Sequence, residues 1–421
     1  MRGWTLTACV VAACGDNAPP QAHEVMAIPS ASTNKLDLLF VADNEGSTFE
    51  HQVAMVRAFP SLLAEISIDG RPDLHIGTIT PDMGASTKSG AVGPGIGMGQ
   101  GSCYNLGDRG KLHRLDSTIP DLYLVDSASE TNHPNALVDD LAQSLEVGSS
   151  GCGYQQYLSA ARAMFDNASN AGFRRSDAAL GIVVIADEDD CSALDPAMFD
   201  PASTATLGPH SHFRCVQYGV TCAEPDMTTV GPRADCKPNA ASTLVEDPLD
   251  FLPILQSHAD DPRRVAFAAV IGPPDVAIEQ RVLTGGTSVP ALAFACEWLE
   301  ANNQANVAEP SVRLGALAAQ FGDRGTTASI CHQDLARTAT EVGMTMRRAM
   351  GDSCIEDDLE LASCTVVDQL GTTEATLPPC AGATSSCYEV VTDEAACPHA
   401  AHQKLVVHHD AAPGTYTLVR C

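Results

Sequence analysis

A nearly unbroken apolar run early in the chain constrains the fold more than any other feature. Residues 36–42 read LDLLFVA, and such runs are typical of strands that are covered on both faces of a sheet. The run ends in a polar turn at 43–47, and a helical pattern of apolar residues follows over 49–63. Strand, polar turn and helix make half of a βαβ unit. The sequence therefore predicts a central strand of a parallel α/β sheet.

The polar turn carries oxygen-bearing side chains where parallel sheets bind ligands. Asp43, Glu45 and Ser47 follow the predicted central strand at alternate positions. Ligands of open parallel sheets lie at the carboxyl ends of strands, and Ca²⁺ and Mg²⁺ take oxygen ligands. The turn is therefore a candidate site for a hard divalent cation.

The motif Asp43-x-Glu45-x-Ser47 resembles the strand-Asp-x-Ser-x-Ser-helix opening of the metal-ion-dependent adhesion site in von Willebrand factor A (vWA) domains. A second apolar run, ALGIVVIA at 179–186, ends in acids that resemble the family's later metal-site aspartate, whose place Asp187 takes. The resemblance extends over 36–350 in element order and is closest to vWA-bearing bacterial lipoproteins. It implies a doubly wound, mostly parallel Rossmann-like sheet flanked by helices, and a protein ligand. The metal ligands that it implies are Asp43, Glu45, Ser47 and Asp187.

Two positions depart from the family pattern. Glu45 replaces the middle hydroxyl, and the loop that holds a metal-binding Thr in the family offers Ser149, Ser150 and Cys152 here. Three carboxylates around a dication leave a net negative charge, which would repel an acidic group of a partner. The flexible coordination of Ca²⁺ accommodates a glutamate better than the strict octahedron of Mg²⁺. We expect Ca²⁺ or Mg²⁺ at an altered site; the open alternative is a metal-free site whose acids are solvated or bonded to helix amides.

Four further residues are candidates to orient metal-bound water from behind the ligands. Asp82 follows the next predicted strand, Ser149 and Ser150 precede a predicted helix, and Asp189 lies two residues beyond Asp187. Each also has a simpler structural interpretation, because turn aspartates and helix-capping serines are common.

The net charge of the chain and the absence of common catalytic motifs make some classes of function improbable. The 421-residue chain has a formal net charge of −29, which disfavours binding to nucleic-acid phosphates. It contains no HExxH, GxSxG or P-loop motif, so we expect a non-enzymatic protein. Three interpretations stay open: a metal-dependent protein-binding module, a metal-free structural or interaction module on the same fold, and a surface hydrolase.

The amino terminus has the pattern of an export signal. Residues 1–14 hold an early arginine, a short apolar stretch and small residues before Cys14, and VAAC at 11–14 resembles a bacterial lipobox. We therefore expect a signal peptide over 1–14, lipid on Cys14 and a Pro-containing linker over 15–34. The expected location is a bacterial membrane, at the cell surface or in the periplasm, with an extracellular or periplasmic protein as ligand.

The cysteines predict disulfides in an oxidising compartment. Of sixteen cysteines, those beyond Cys14 fall into groups of even number, which predicts Cys103–Cys152, Cys296–Cys331 and pairing within the groups at 191–236 and 354–421. We therefore expect a vWA-like domain over 35–350, with a Cys-rich insertion at about 191–246, and a Cys-rich β module over 351–421. The alternative is zinc, held by one of two sets: His210, His212, Cys215 and Cys222, or Cys397, His399 and His402.

Overall fold

The computed structural model describes residues 24–95, 103, 106–114, 119, 121–282, 286–299, 305–355, 359, 361–380, 386–399, 402–412 and 414–421. The predicted signal peptide, with Cys14, and residues 15–23 of the predicted linker lie outside these ranges. No helix within the described ranges is long and apolar enough to span a bilayer.

The described residues form nineteen strands and eight α-helices. The strands are β1 (Glu24–Pro29), β2 (Lys35–Ala42), β3 (Asp73–Ile79), β4 (Leu124–Asp126), β5 (Ala179–Ile185), β6 (Val220–Thr221), β7 (Gly231–Pro232), β8 (Lys237–Pro238), β9 (Val265–Ile271), β10 (Ala277–Val282), β11 (Ser288–Leu292), β12 (Cys296–Leu299), β13 (Ala305–Ala308), β14 (Gly325–Ser329), β15 (Thr365–Leu370), β16 (Thr373–Thr376), β17 (Cys387–Thr392), β18 (Gln403–His408) and β19 (Tyr416–Arg420). The helices are α1 (Phe49–Ile66), α2 (Leu137–Leu145), α3 (Tyr157–Asp166), α4 (Thr204–Leu207), α5 (Phe213–Gly219), α6 (Phe251–Gln256), α7 (Val312–Ala319) and α8 (Ala336–Met350).

The largest sheet is a mixed sheet of six strands in the order β14-β9-β5-β2-β3-β4. All neighbouring pairs are parallel except β3 and β4, which are antiparallel. β2 lies inside the sheet, between β3 and β5, and every residue of it after Lys35 is buried. The apolar run is therefore a central strand, as its composition predicts.

Helices cover both faces of this sheet. Apolar side chains of α1, α2 and α8 pack on one face, and those of α3, α6 and α7 pack on the other. The contact of α8 is close at β5, where a Cβ on Gly181 would lie 2.2 Å from Sδ of Met346. A larger residue at this position would displace the Met346 side chain.

Two excursions interrupt the α/β order on the carboxyl side of the sheet. The predicted Cys-rich insertion at 191–246 holds α4, α5 and the short strands β6 to β8. A second excursion, which the sequence analysis did not single out, forms the hairpins β10–β11 and β12–β13 between β9 and α7. β7 pairs with β10, so the two excursions are joined.

The carboxyl-terminal module is β-rich, and it recruits a strand from the predicted linker. β1 pairs antiparallel with β19 in a four-stranded sheet of the order β1-β19-β15-β16. The linker prediction over 15–34 is therefore wrong for residues 24–29. The segment 24–29 has an apolar sequence that buries Met26 and Ile28 against the module. The prolines on either side of this segment are typical of a linker and obscured its strand pattern.

Seven disulfides join the described cysteines, which supports an oxidising compartment. Both individually predicted bonds, Cys103–Cys152 and Cys296–Cys331, are present. The other bonds stay within the predicted groups: Cys191–Cys215, Cys222–Cys236, Cys354–Cys397, Cys364–Cys421 and Cys380–Cys387. The zinc alternative is wrong in both its forms, because disulfides occupy the sulfurs of Cys215, Cys222 and Cys397.

Candidate metal centre

The candidate centre lies where β2 and β5 end side by side. These strands are parallel neighbours in register, with Ala42 opposite Ile185, and the amide of Asp43 donates to the carbonyl of Ile185 over 3.1 Å. The chain leaves β2 at Asp43 and β5 just before Asp187. Register alone therefore brings the two aspartates to one edge of the sheet.

Asp43 is held in a buried position by donors from three segments. Its side chain accepts a hydrogen bond from the Glu45 amide (2.9 Å) and another from the hydroxyl of Tyr157 on α3. Its backbone carbonyl accepts from Nε2 of Gln52 over 2.7 Å. The residue is only 1% exposed. These contacts fix the carboxyl group without exposing it to water.

Ser47 connects the other predicted ligands. Its hydroxyl contacts Oε1 of Glu45 and Oδ2 of Asp187, and its amide donates to the same Glu45 oxygen over 2.8 Å. Asp187 is buried, whereas Ser47 is exposed. The structure thus brings Asp43, Glu45, Ser47 and Asp187 together, with a buried floor and a side open to solvent.

The buried carboxyl groups of this site need a positive charge or protons to compensate their negative charge. Burial, followed by the charge of Glu45, raises the pKa of Asp43 to about 7. Burial and the neighbouring charge of Asp43 raise the pKa of Asp187 well above its ordinary value. Carboxyl groups in such a setting take up either protons or a cation. The site therefore favours whichever positive species is available.

The donor set fits a hard divalent cation. Oδ1 of Asp187 is buried and accepts no hydrogen bond from a donor among the described residues. A carboxylate oxygen in that state is available as a ligand, and Ser47 adds a neutral hydroxyl beside it. Asp43, Ser47 and Asp187, with Glu45 at the open side, are the residues that would hold the ion.

Asp82, Ser149 and Ser150, which were expected to orient metal-bound water, lie in different segments of the structure. Ser149 and Ser150 are exposed on the loop before α3, which is bonded to the site turn through the Gly151 amide and the Asn44 carbonyl over 2.7 Å. Asp82 accepts from the Gly84 amide over 2.7 Å, as turn aspartates do. No hydrogen bond between these three side chains and the four predicted ligands occurs among the described residues.

Asp189 has a different role from the predicted one. One of its oxygens accepts from the amides of Val312 (2.9 Å) and Arg313 (2.8 Å), and the other accepts from that of Leu314 (3.1 Å). Asp189 therefore caps the start of α7. With both oxygens committed to these amides, it is not available to orient water at the metal centre.

Four residues lie around the centre that the sequence did not place there: Tyr157, Glu188, His212 and Glu309. His212 lies between two carboxylates, with Nδ1 3.3 Å from Oε1 of Glu188 and Nε2 3.1 Å from Oε1 of Glu309. Burial lowers the pKa of His212, but the charges of Glu188 and Glu309 outweigh burial and raise it to about 10. Glu188 stood in the acidic run after β5 and His212 in one of the two alternative zinc sets, whereas no local pattern identifies Tyr157 or Glu309.

Comparison with known proteins adds little to this geometry. No protein-family profile matches the chain, and no curated protein matches it. Among solved structures 20 chains match, and one of them is described as von Willebrand factor type A from Catenulispora acidiphila. That match has 11% identity and a TM-score of 0.28, and it covers 94% of this chain and 61% of the other. This chain thus spans less than two thirds of the matched one, and at this TM-score the match supports no inference.

Proposed function

We propose that this chain is a non-enzymatic, exported lipoprotein that binds a protein ligand. Its 35–350 region would be a doubly wound vWA-like domain, and a modified metal-ion-dependent adhesion site would form the ligand-binding edge. Ca²⁺ would occupy the site in preference to Mg²⁺, because Glu45 is longer than the serine in the family motif.

One observation carries this proposal: the convergence of Asp43, Ser47 and Asp187 at the ends of two neighbouring parallel strands. Ligands of open α/β sheets bind at this edge. The free Oδ1 of Asp187 is buried, and a buried anionic oxygen without a donor is costly unless a cation or proton compensates it. A resident cation would remove that cost.

A bound cation would supply an electrophilic centre for an oxygen of the partner. The residues of this chain would set how strongly that oxygen is held, since Asp43, Asp187 and Glu45 together outweigh the charge of a dication. We therefore propose that neutral oxygens are preferred over the carboxylates of a partner. Exposed Ser47 marks the side from which the partner would approach.

The metal-free interaction module remains the second candidate, and a specific observation favours it. Tyr157 and the Glu45 amide donate to Asp43, and Ser47 contacts Asp187. Asp43 and Asp187 have raised pKa values, so their carboxyl groups can carry protons. With those protons, the contacts give Asp43, Glu45, Ser47 and Asp187 a stable arrangement without a metal.

Calorimetric titration with Ca²⁺, Mg²⁺ and Mn²⁺ separates the two candidates. We expect wild type to bind Ca²⁺ below millimolar concentration, and Asp43→Ala to lose affinity by at least about tenfold. Asp82→Ala is the matched control, because it removes a carboxylate that follows the neighbouring strand β3 and should leave affinity unchanged. If wild type binds none of the three ions below millimolar concentration, the metal-free module becomes the better account.

The lipid anchor has a separate test, so that its failure leaves the binding proposal intact. A clickable fatty acid fed to the producing bacterium should label wild type but not Cys14→Ser, because acylation of a lipobox requires that cysteine. Cys9→Ser is the control and should be labelled like wild type. Equal labelling of wild type and Cys14→Ser would refute anchoring at Cys14.

A further inference from the structure

Beside the proposed adhesion site, three metal-ligating side chains meet from three separate segments. Glu188 directly follows Asp187 at the end of β5, His212 directly precedes α5 in the Cys-rich insertion, and Glu309 directly follows β13. One ligand atom from each of the three lies within 4.8 Å of the others. None of the three belongs to the motif that the sequence predicted.

The spacing between one pair of these donors is that of ligands around one ion. Two donors at about 2.0–2.2 Å from a tetrahedral ion lie about 3.3–3.6 Å apart. Nδ1 of His212 is 3.3 Å from Oε1 of Glu188, and Oε1 of Glu309 is 3.1 Å from the other ring nitrogen. Rotation of the Glu309 side chain toward Nδ1 would complete three-fold coordination.

The backbone around the cluster is fixed. The Glu309 amide donates to the carbonyl of Asp187 over 2.7 Å, which ties the hairpin end to the strand end. The disulfide Cys191–Cys215 connects the start of the insertion to α5, three residues after His212. The backbone that carries the three donors is therefore held in place before any ligand arrives, which reduces the entropy cost of binding.

Negative charge from the adhesion site reaches this cluster. Asp187, which adjoins Glu188, is only 2% exposed, and its Oδ1 accepts no hydrogen bond from the described residues. The charges of Glu45 and Asp187 both act on Glu188. On the far side, Nη1 of Arg281 lies 3.6 Å from Glu309. Without a metal, the ring proton of His212 and Arg281 balance the charges of Glu188 and Glu309. A bound cation would displace that ring proton and take over its role.

We propose that Glu188, His212 and Glu309 form a second cation site that takes a borderline divalent ion such as Zn²⁺, Co²⁺ or Mn²⁺. An imidazole nitrogen with two carboxylates suits these ions, whereas Ca²⁺ and Mg²⁺ prefer all-oxygen sites. The two neighbouring sites thus differ in the hardness of their donors. A metal at the second site would tie the insertion and the hairpin to the end of β5.

The site keeps one coordination position for an exchangeable ligand. Three protein donors are one fewer than the four that closed structural zinc sites use. The His212 side chain is 31% exposed, so the remaining position faces solvent. Water or an oxygen or nitrogen atom of a partner would fill it.

The test is titration of the metal-stripped chain with Zn²⁺ by calorimetry and with Co²⁺ by visible absorption. Wild type should bind Zn²⁺, and Co²⁺ should produce the intense bands of a nitrogen-ligated, four-coordinate ion. His212→Gln should weaken Zn²⁺ binding by at least about tenfold and abolish those bands. Glu309→Gln should also weaken binding, and it provides a second variant if His212→Gln does not fold.

Two controls separate this site from the adhesion site and from incidental histidines. His210→Gln changes a histidine two residues away, whose Nε2 contacts the Phe199 carbonyl over 3.0 Å, and should leave Zn²⁺ affinity within about twofold. Asp43→Ala should remove Ca²⁺ binding while Zn²⁺ binding persists. Zn²⁺ binding that is absent in wild type, or equal in wild type, His212→Gln and Glu309→Gln, would overturn the proposal and leave His212 as an imidazolium paired with the two glutamates.

Discussion

At the scale of single residues, Glu45 is the position where this site departs most from a hydroxyl-based adhesion site. Its carboxylate contacts the amide and the hydroxyl of Ser47, and its charge raises the pKa of Asp43. One side chain therefore alters both the charge and the size of the coordination space. Substituting it isolates that effect.

Glu45→Ser should shift metal preference from Ca²⁺ toward Mg²⁺. The shorter hydroxyl removes one negative charge and one long flexible ligand, and the compact octahedron of Mg²⁺ then fits better. We expect the ratio of Mg²⁺ to Ca²⁺ affinity, measured by calorimetry, to rise by about tenfold. Glu130→Ser, at an exposed glutamate after β4, controls for the change in net charge. An unchanged ratio in Glu45→Ser would show that Glu45 does not contact the ion.

Stability of the metal-free protein should fall as pH rises from about 4 to about 7. Asp43 has a folded-state pKa raised to about 7 from its ordinary value of 3.8, so in this window the folded state holds a proton that the unfolded chain releases. The loss from this residue is up to about 4 kcal/mol. Thermal unfolding in EDTA at pH 5 and pH 8 measures it.

Added Ca²⁺ and Asp43→Asn provide the checks on this pH effect. Saturating Ca²⁺ should reduce the loss at pH 8, because the cation replaces the proton. Asp43→Asn cannot ionise and should show a shallower decline than wild type. The same decline in both proteins would assign the effect to other groups.

Site residues that lie at strand ends could be predicted from the sequence. Site residues that reach the centre through contacts distant in the chain could not. Asp43 and Asp187 were predictable because parallel register sends both to one edge. Tyr157 reaches Asp43 across 114 residues, and His212 reaches Glu309 across 97. Such contacts depend on how a helix and an insertion fold over the sheet. No spacing rule in one sequence encodes them.

At the scale of elements, apolar periodicity predicted long buried elements well and short ones poorly. The central strands and α1 lie where the patterns placed them, because a strand buried in the sheet needs a continuous apolar stretch and a covering helix needs a periodic one. β1 was interpreted as linker, and the hairpins β10–β11 and β12–β13 were not identified. These strands belong to small sheets of two to four strands, where one apolar face is enough and polar residues interrupt the pattern.

Met26→Ala should destabilise the protein if β1 is an integral strand. Met26 is 3% exposed and packs in the apolar cluster of the carboxyl-terminal module, so its truncation leaves a cavity that costs about 2–5 kcal/mol. Glu24→Ala, at the exposed start of the same strand, should change stability by less than about 0.5 kcal/mol. Chemical denaturation measures both. Equal stability of the two variants would mean that residues 24–29 act as a linker.

At the scale of the whole molecule, Arg347 connects the α/β region to the carboxyl-terminal module. From α8 it bonds to Glu65 on α1 (3.0 Å) and to Asp69 (2.9 Å), and it also donates to the Ala396 carbonyl of the module over 2.7 Å. His399 of the module contacts the second oxygen of Glu65 over 2.6 Å. The module is therefore attached through a buried ionic network as well as through β1.

Arg347→Ala should lower the free energy of unfolding by about 3–5 kcal/mol, because it leaves buried Glu65 without its arginine partner. Arg337→Ala is the matched control on the same helix. The Arg337 side chain is 91% exposed and pairs only with Glu341 among the described residues, so its loss should cost less than about 1 kcal/mol. Similar costs for the two variants, measured by denaturant unfolding, would show that the network does not hold the module.

The central claim is that the ends of β2 and β5 hold a divalent cation. Anomalous diffraction from crystals grown in millimolar Mn²⁺ tests it most directly, because Mn²⁺ substitutes for Ca²⁺ and Mg²⁺ at oxygen sites. We predict an anomalous peak within coordination distance of Asp43, Ser47 and Asp187 in wild type, and its loss in Asp43→Ala. A wild-type map without a peak at these three residues would contradict the claim.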